Sequence, residues 1–177
     1  MMRALSADRP RYRALPLLLV DIDGVVSLWG WPPAERPDGA WTLVDGVAHV
    51  LSAPAAARLA SLADDFELVW ASGWEEKANE HLPRLVGLGP FPHLAFEPTA
   101  TPPASFDHWK LAAIDAFAGA DRPLAWIDDD LTLACHAWAA ARPGPTLLIT
   151  TVPAAGVTDN DVSTLRAWAG ELLGRYG

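Results

Sequence analysis

Three observations predict an α/β fold built on a Rossmann-like, doubly wound parallel sheet of five strands. Short, continuously apolar runs alternate with longer helical stretches, as they do where strands buried on both faces are interleaved with helices. Three of these runs stop at polar residues, Asp21, Ser72 and Asp128. The chain has 177 residues, 51% of them apolar, which suits one domain that buries roughly 70% of its unfolded surface. That domain is expected over residues 15–177, behind a solvated, flexible tail over residues 1–14 carrying Arg3, Arg9, Arg11 and Arg13.

Taken in order, residues 17–20 (LLLV) read as a central strand with both faces covered. Residues 27–46, dense in Gly, Pro and Trp, are too irregular for a helix and read as a loop or hairpin flap, a short insert over about 26–46. Residues 47–51 are its returning strand. Pro54 opens a helix over 55–63, since proline is tolerated in a first turn. Residues 67–71 form the second strand, Ser72-Gly73 a tight turn, and 74–86 a helix interrupted or bent near Pro83. A short third strand over 93–96 leads into a proline-rich loop over 98–103 and a helix over 106–118. The fourth strand, 124–127, runs into Asp128-Asp129-Asp130 and a helix over 131–141. The fifth strand is 146–150, and a last helix over 164–173 places Leu165, Trp168 and Leu172 on one face.

Thirteen basic against 22 acidic residues give a net charge of −9, which argues against stable binding to duplex nucleic acid, where several phosphates must be neutralised. The single cysteine, Cys135, cannot form an internal disulfide and reads as a small buried hydrophobe. The apolar run at the start is interrupted by Pro16, is too short to span a membrane and lacks a cleavage site, so a cytoplasmic protein with no membrane partner is expected.

In doubly wound sheets ligands sit beyond the carboxyl ends of the strands. Asp21 and Asp23, Ser72, and Asp128 to Asp130 all follow strands, so residues distant in sequence converge there. Five carboxylates near one point repel one another unless a cation neutralises them. Such a cluster suits a hard divalent ion with oxygen ligands, Mg²⁺ where phosphate is the co-ligand. Simpler readings exist for each piece. Asp-x-Asp-Gly could be a turn, although an EF-hand fails because Val25 and Pro32 stand where it needs oxygen ligands. Ser72 alone reads as a helix cap, Lys110 alone as an exposed helical lysine, and Asp130 as the N-cap of its helix. The five histidines show no metal-ligand spacing. Trp70, Trp126, Trp138 and Trp168 read as core. Trp29, Trp31, Trp41 and Trp74 could stack on a base or ring, although packing is the plainer reading.

As an ordered set, Asp21-Ile22-Asp23-Gly24-Val25, Ser72, Lys110 and Asp128-Asp129, each in its strand or helix context, resembles the four motifs of the haloacid dehalogenase (HAD) superfamily over roughly residues 15–150. At finer grain, residues 69–75, Trp109-Lys110 and residues 123–130 are similar to small HAD domains also found in RNA-repair proteins. The resemblance implies that Asp21 is a nucleophile forming an aspartyl phosphate. It implies that Asp23 protonates the leaving oxygen and then activates water. Gly24 lets the chain turn away from the phosphate. Ser72 and the Gly73 amide bind a phosphate oxygen at a helix N-terminus, and Lys110 offsets the charge on Asp21 and the phosphoryl group. Asp21, Asp128, the backbone carbonyl of Asp23, and Asp129 directly or through water would hold Mg²⁺.

The expected function is therefore a Mg²⁺-dependent phosphomonoester hydrolase. Neither the flap nor the insert over 97–105 is large enough for a cap domain, which leaves an open cleft. Its partner would be a phosphorylated small molecule or a phosphate end on nucleic acid or protein, with a nucleotide or nucleic-acid terminal phosphate as the narrower form. The rivals are a HAD-like binding module with little turnover, and a phosphotransferase using the same residues.

Overall fold

The computed structural model describes residues 15–96 and 108–176; the expected tail, the proline-rich loop and the expected start of the third helix lie outside them. In chain order the elements are β1 (Leu17–Val20), β2 (Ser27–Leu28), a 3₁₀ turn (Pro33–Glu35), β3 (Ala40–Val44), β4 (Val47–Leu51), α1 (Ala53–Ala60), β5 (Glu67–Trp70), α2 (Lys77–Val86), α3 (Leu111–Ala118), β6 (Leu124–Asp128), α4 (Leu133–Ala141), β7 (Thr146–Thr150) and α5 (Asp159–Tyr176).

β1 is apolar at every position because neither of its faces meets water: all four residues are fully buried. It pairs in parallel with β5 on one side and β6 on the other, and β7 extends the sheet beyond β6, giving the order β5-β1-β6-β7. Leu18 and Val20 face a core shared with Leu59 of α1, Leu82 of α2 and Leu165 of α5. Leu17 and Leu19 face Leu111 and Ile114 of α3 and Cys135 of α4. Burial of each such leucine stabilises the fold by about 1.5–3 kcal/mol, so the strand that carries Asp21 at its tip is held firmly on both faces. From β1 the chain steps outward to β5 and later returns to β1's other side as β6. The order reverses between β1 and β6, and a crevice opens beyond their carboxyl ends.

The observed parallel sheet has four strands among the described residues, not five. His93 makes only an isolated bridge to Trp70, with Trp70 N donating to Pro92 O (2.8 Å) and Leu94 N to Trp70 O (2.9 Å). β5 ends at that point, and Pro90 and Pro92 bring no N–H of their own, so the pairing cannot extend. α2 begins at Lys77 instead of residue 74, because Glu75 takes a left-handed φ of 48° that no α-helix accommodates, and it runs without interruption through Pro83. α1 starts two residues earlier than expected, with the Ser52 hydroxyl accepting the Ala55 N–H at 3.2 Å. α5 starts five residues earlier, capped by Thr158 and Asp161 acting on each other's backbone N–H groups (Thr158 N to Oδ2 2.8 Å, Asp161 N to Oγ1 3.3 Å). Asp130 does not cap α4. Thr132 holds that position, while the Asp130 N–H turns back onto Asp128 Oδ1 at 3.0 Å.

The flap is more ordered than a loop. β2, β4 and β3 form an antiparallel sheet in that order, with β3 and β4 joined by a tight turn at Asp45-Gly46 where both residues have positive φ (52° and 81°). Val44, Val50 and Leu51 of this sheet are buried, two of them in the core beneath β1. No described helix is long and apolar enough to cross a membrane.

Candidate active site

The crevice between the tips of β1 and β6 widens into a cleft of about 740 Å³ lined by Asp21, Asp23, Ser72, Gly73, Lys110, Asp128 and Asp129 of the motifs. Asp21 follows β1 directly, and its N–H donates to Ile127 O (3.0 Å), which locks the tip of β1 to β6. Asp128 is the last residue of β6 and is 1% exposed. Between them lies Lys110, at the N-terminus of α3. Its Nζ stands 2.9 Å from Asp21 Oδ1 and 2.7 Å from Asp128 Oδ2. Lys110 is therefore not the exposed helical lysine its isolated context suggested; it is buried, and its charge is shared by two carboxylates. A second donor reaches the same oxygen of Asp128, the indole N–H of Trp126 at 3.1 Å.

Oxygens of Asp21, Asp128 and Asp129 lie within 4.8 Å of one another. Around an ion with bonds of about 2.1 Å, neighbouring ligand oxygens stand roughly 3 Å apart and opposite ones roughly 4 Å. The three carboxylates are therefore near enough to share a small divalent cation if their side chains close in on it. The carboxylate of Asp23 is not one of this group.

Electrostatics at the centre follow from burial. Desolvation pushes the Asp21 carboxyl up to about 7; Lys110 pulls it down and Asp128 adds to the rise. Asp129 is raised for the same leading reason, then by Asp128. For Lys110, burial is the largest influence and disfavours its charge, but the two aspartates outweigh it and the ammonium is held above its ordinary value. His108, which also lines the cleft, is lowered by burial and stays neutral near pH 7. The cluster thus gathers three carboxylates around one buried lysine.

Local backbone geometry explains why glycine follows the paired aspartates. Gly24 has φ 71°, and a Cβ there would lie 2.3 Å from Asp129 Oδ2. Its N–H donates to Ser27 O (2.7 Å), and its carbonyl accepts from the buried Thr151 hydroxyl (2.8 Å). The turn is therefore clamped between the flap and the end of β7.

Asp23 is contacted by two side chains to which the motif comparison gave no such role. Trp74 Nε1–H reaches Oδ2 at 3.0 Å, and His49 Nδ1 stands 3.1 Å from Oδ1. His49 belongs to β4. Its Nδ1 also lies 3.0 Å from Ser27 Oγ, and its ring packs edge-on against Trp74 with centroids 4.6 Å apart. No spacing rule could have found His49, because its link to Asp23 depends on the register that sets Ser27 opposite Leu51. Trp74, for which packing is the plainer reading and stacking the alternative, is packed at 5% exposure and spends its N–H on Asp23.

Ser72 and Gly73 line the cleft as expected, with one correction. They precede α2 by a four-residue turn and do not sit on its first turn. The Ser72 carbonyl accepts from Glu75 N (3.0 Å), and its hydroxyl makes a long contact with Trp74 N (3.4 Å). Any anion held here meets turn amides, not the end of a helix. Of the other tryptophans, Trp70 and Trp126 are fully buried. Trp29 and Trp41 are half exposed, and only Trp29 of these two reaches the cleft.

The class of site is thus an acidic, lysine-centred cleft at the switch point of a parallel α/β sheet. No protein-family model matches the chain, and no curated protein matches it significantly.

Proposed function

We propose that this chain is a Mg²⁺-dependent phosphomonoester hydrolase of the HAD type that works through an aspartyl phosphate on Asp21. The observation that carries the proposal is the triangle of Asp21, Asp128 and Asp129 oxygens within 4.8 Å, with Lys110 Nζ 2.9 and 2.7 Å from the first two. Apolar packing offers no reason to gather three carboxylates at one strand edge, and phosphoryl transfer needs such a cluster.

Asp21, Asp128 and Asp129 would hold the ion, with the Asp23 carbonyl as a further donor. When bound, Mg²⁺ supplies positive charge to the phosphoryl oxygens. Ser72 and Gly73 orient the phosphate, and Lys110 lowers the repulsion between it and the Asp21 carboxylate. An Asp21 oxygen attacks phosphorus as the bond to the leaving oxygen breaks, and Asp23 gives that oxygen its proton. Asp23, now a carboxylate, takes a proton from water. The water oxygen bonds to phosphorus, the bond to Asp21 breaks, and inorganic phosphate leaves with both aspartates restored. His49 and Trp74 hold Asp23 in line for both transfers.

Asp21→Asn removes the attacking charge with almost no change in shape. Turnover of p-nitrophenyl phosphate with Mg²⁺ is expected to fall by about 10³-fold or more, with an unchanged circular dichroism spectrum. Retained turnover in that variant refutes the nucleophile.

A further inference from the structure

We infer that the cleft selects small monoesters with a single phosphate and a flat, uncharged ring in the leaving group, and disfavours polyphosphates and nucleic-acid ends. This rests on the phosphatase reading above and narrows its substrate.

The first observation is a pair of tryptophans presented to the cleft from different sides of the fold. Trp29 follows β2 and Trp109 precedes α3, and each is 52% exposed. A half-exposed indole in a folded domain is a large apolar surface left uncovered. The Trp29 backbone is fixed by its N–H donating to Pro153 O at 3.1 Å, and the Trp109 ring itself is held. The Trp109 ring meets the edge of Phe96 (centroids 4.7 Å apart) and stacks near His108 (6.3 Å), with Lys110 Nζ 5.1 Å from its centroid. A ring already held in place, as that of Trp109 is, loses little freedom when a ligand stacks on it. Trp109 is also adjacent to the phosphate loop: a Cβ on Gly73 would touch its Cη2 at 3.6 Å. A group esterified to a phosphate at Ser72-Gly73 therefore leaves alongside an indole.

The second observation is charge. Six carboxylates line the cleft, from Asp21, Asp23, Asp45, Asp128, Asp129 and Asp130. Against them the described lining residues offer one permanent cation, Lys110, and it is already committed to Asp21 and Asp128. A divalent ion and Lys110 suffice for one phosphate. A second phosphate placed outward toward Asp130 would find no arginine or lysine among the described lining residues, and Asp45 beside it already holds the nearest lysine, Lys77, in an ion pair. Sites that follow a nucleic-acid backbone combine aromatic platforms with a positive groove, and this cleft has the platforms without the groove. Apolar Val44, Val47 and Pro153 complete the lining.

The test measures kcat/KM of the full chain with Mg²⁺ on esters of alcohols of similar acidity. The probes are adenosine 5′-monophosphate, ribose 5-phosphate, adenosine 3′,5′-bisphosphate and a 5′-phosphorylated tetranucleotide. Adenosine monophosphate is expected to exceed ribose 5-phosphate by about tenfold or more through stacking. The bisphosphate and the oligonucleotide should fall below it by about fivefold or more. Trp29→Ala and Trp109→Ala should each bring the ratio of the first two substrates toward one. A ratio near one in the unaltered protein, or a preference for the oligonucleotide, overturns the inference and leaves the phosphatase standing. Hydrolysis of p-nitrophenyl phosphate but of none of the four overturns the inference alone, and hydrolysis of none of the five overturns both.

Discussion

Replacing Lys110 by methionine keeps the length of the side chain and deletes the one cation that Asp21 and Asp128 share. Removing one partner of a buried pair destabilises a fold by about 3–5 kcal/mol, because the remaining charge is stranded in a poor solvent. For a domain of this size each kcal/mol lowers Tm by about 2–4 °C, so a fall of roughly 6–20 °C is expected for metal-free protein at alkaline pH. The effect must depend on pH, and its sign follows from Asp21. Folding raises this carboxyl from 3.8 to about 7, mainly by burial, so its proton stabilises the fold fully below about pH 4. That contribution is lost as pH rises through 7. In Lys110→Met the downward pull of the lysine is gone, the carboxyl rises further, and its proton is retained to higher pH. At pH 6 the proton takes over part of the lysine's role and the variant melts close to the parent. Above pH 7 the gap between them changes by up to about 1.4 kcal/mol per pH unit until the aspartates ionise. Mg²⁺ at a hundredfold excess over its Kd should return about 2.7 kcal/mol to either protein. Thermal melts from pH 6 to 9, with and without Mg²⁺, read all three effects. A loss below about 3 °C that does not vary with pH would refute the claim that this lysine neutralises the acid cluster.

The same geometry makes three further claims. His49→Ala should lower kcat/KM by about tenfold or more for an alkyl phosphate, whose leaving oxygen needs a proton, and much less for p-nitrophenyl phosphate, with partial rescue by His49→Asn; equal losses on both esters would make His49 merely structural. Gly24→Ala forces a Cβ to 2.3 Å from Asp129 Oδ2 at a φ of 71°, so calorimetry should find Mg²⁺ affinity down by about tenfold or more, and unchanged affinity would place Asp129 outside the site. Thr158→Ala removes the cap of α5, and urea unfolding should register a loss of about 0.5–2 kcal/mol without loss of activity, since α5 packs on the face of the sheet and lends no residue to the cleft.

What could be read in advance, and what could not, divides along the range of the interactions. Leu17 to Val20 announce a central strand because each position must be apolar when both faces are covered, and the first polar residue after them must lie at the sheet edge. The candidate ligands Asp21 and Asp128 were legible for that reason. Some local signals were present but underused: Asp45-Gly46 is a two-residue hairpin turn, and Thr158 with Asp161 is a helix cap, yet the Gly, Pro and Trp density of the flap and the apolar face of Leu165, Trp168 and Leu172 drew the boundaries elsewhere. The third strand failed because apolar character at 93–96 says nothing of how far the neighbouring strand extends, and β5 stops at Trp70. His49 and Trp74 were beyond any local rule. Their role comes from the pairing of β2 with β4 and from the turn at Glu75, both products of tertiary packing.

The flap follows from the same physical logic as the acid cluster. A hairpin used only to shield a core would turn its apolar side inward and its polar side to water. Here β4 buries Val50 and Leu51, while His49 beside them points its Nδ1 at Asp23 in the cleft. Thr42 on β3 meets His81 of α2 at 3.2 Å, and Asp45 at the turn pairs with Lys77 at the start of the same helix. These contacts tie the flap to α2 at two places, so the position of His49 relative to Asp23 is set by the body of the fold. In the proposed reaction Asp23 must be held to a fraction of an ångström to serve a leaving oxygen, and a free loop cannot provide that. The flap is therefore better understood as the fixed mount of Asp23 than as a lid, with Trp29 at its edge left facing the cleft.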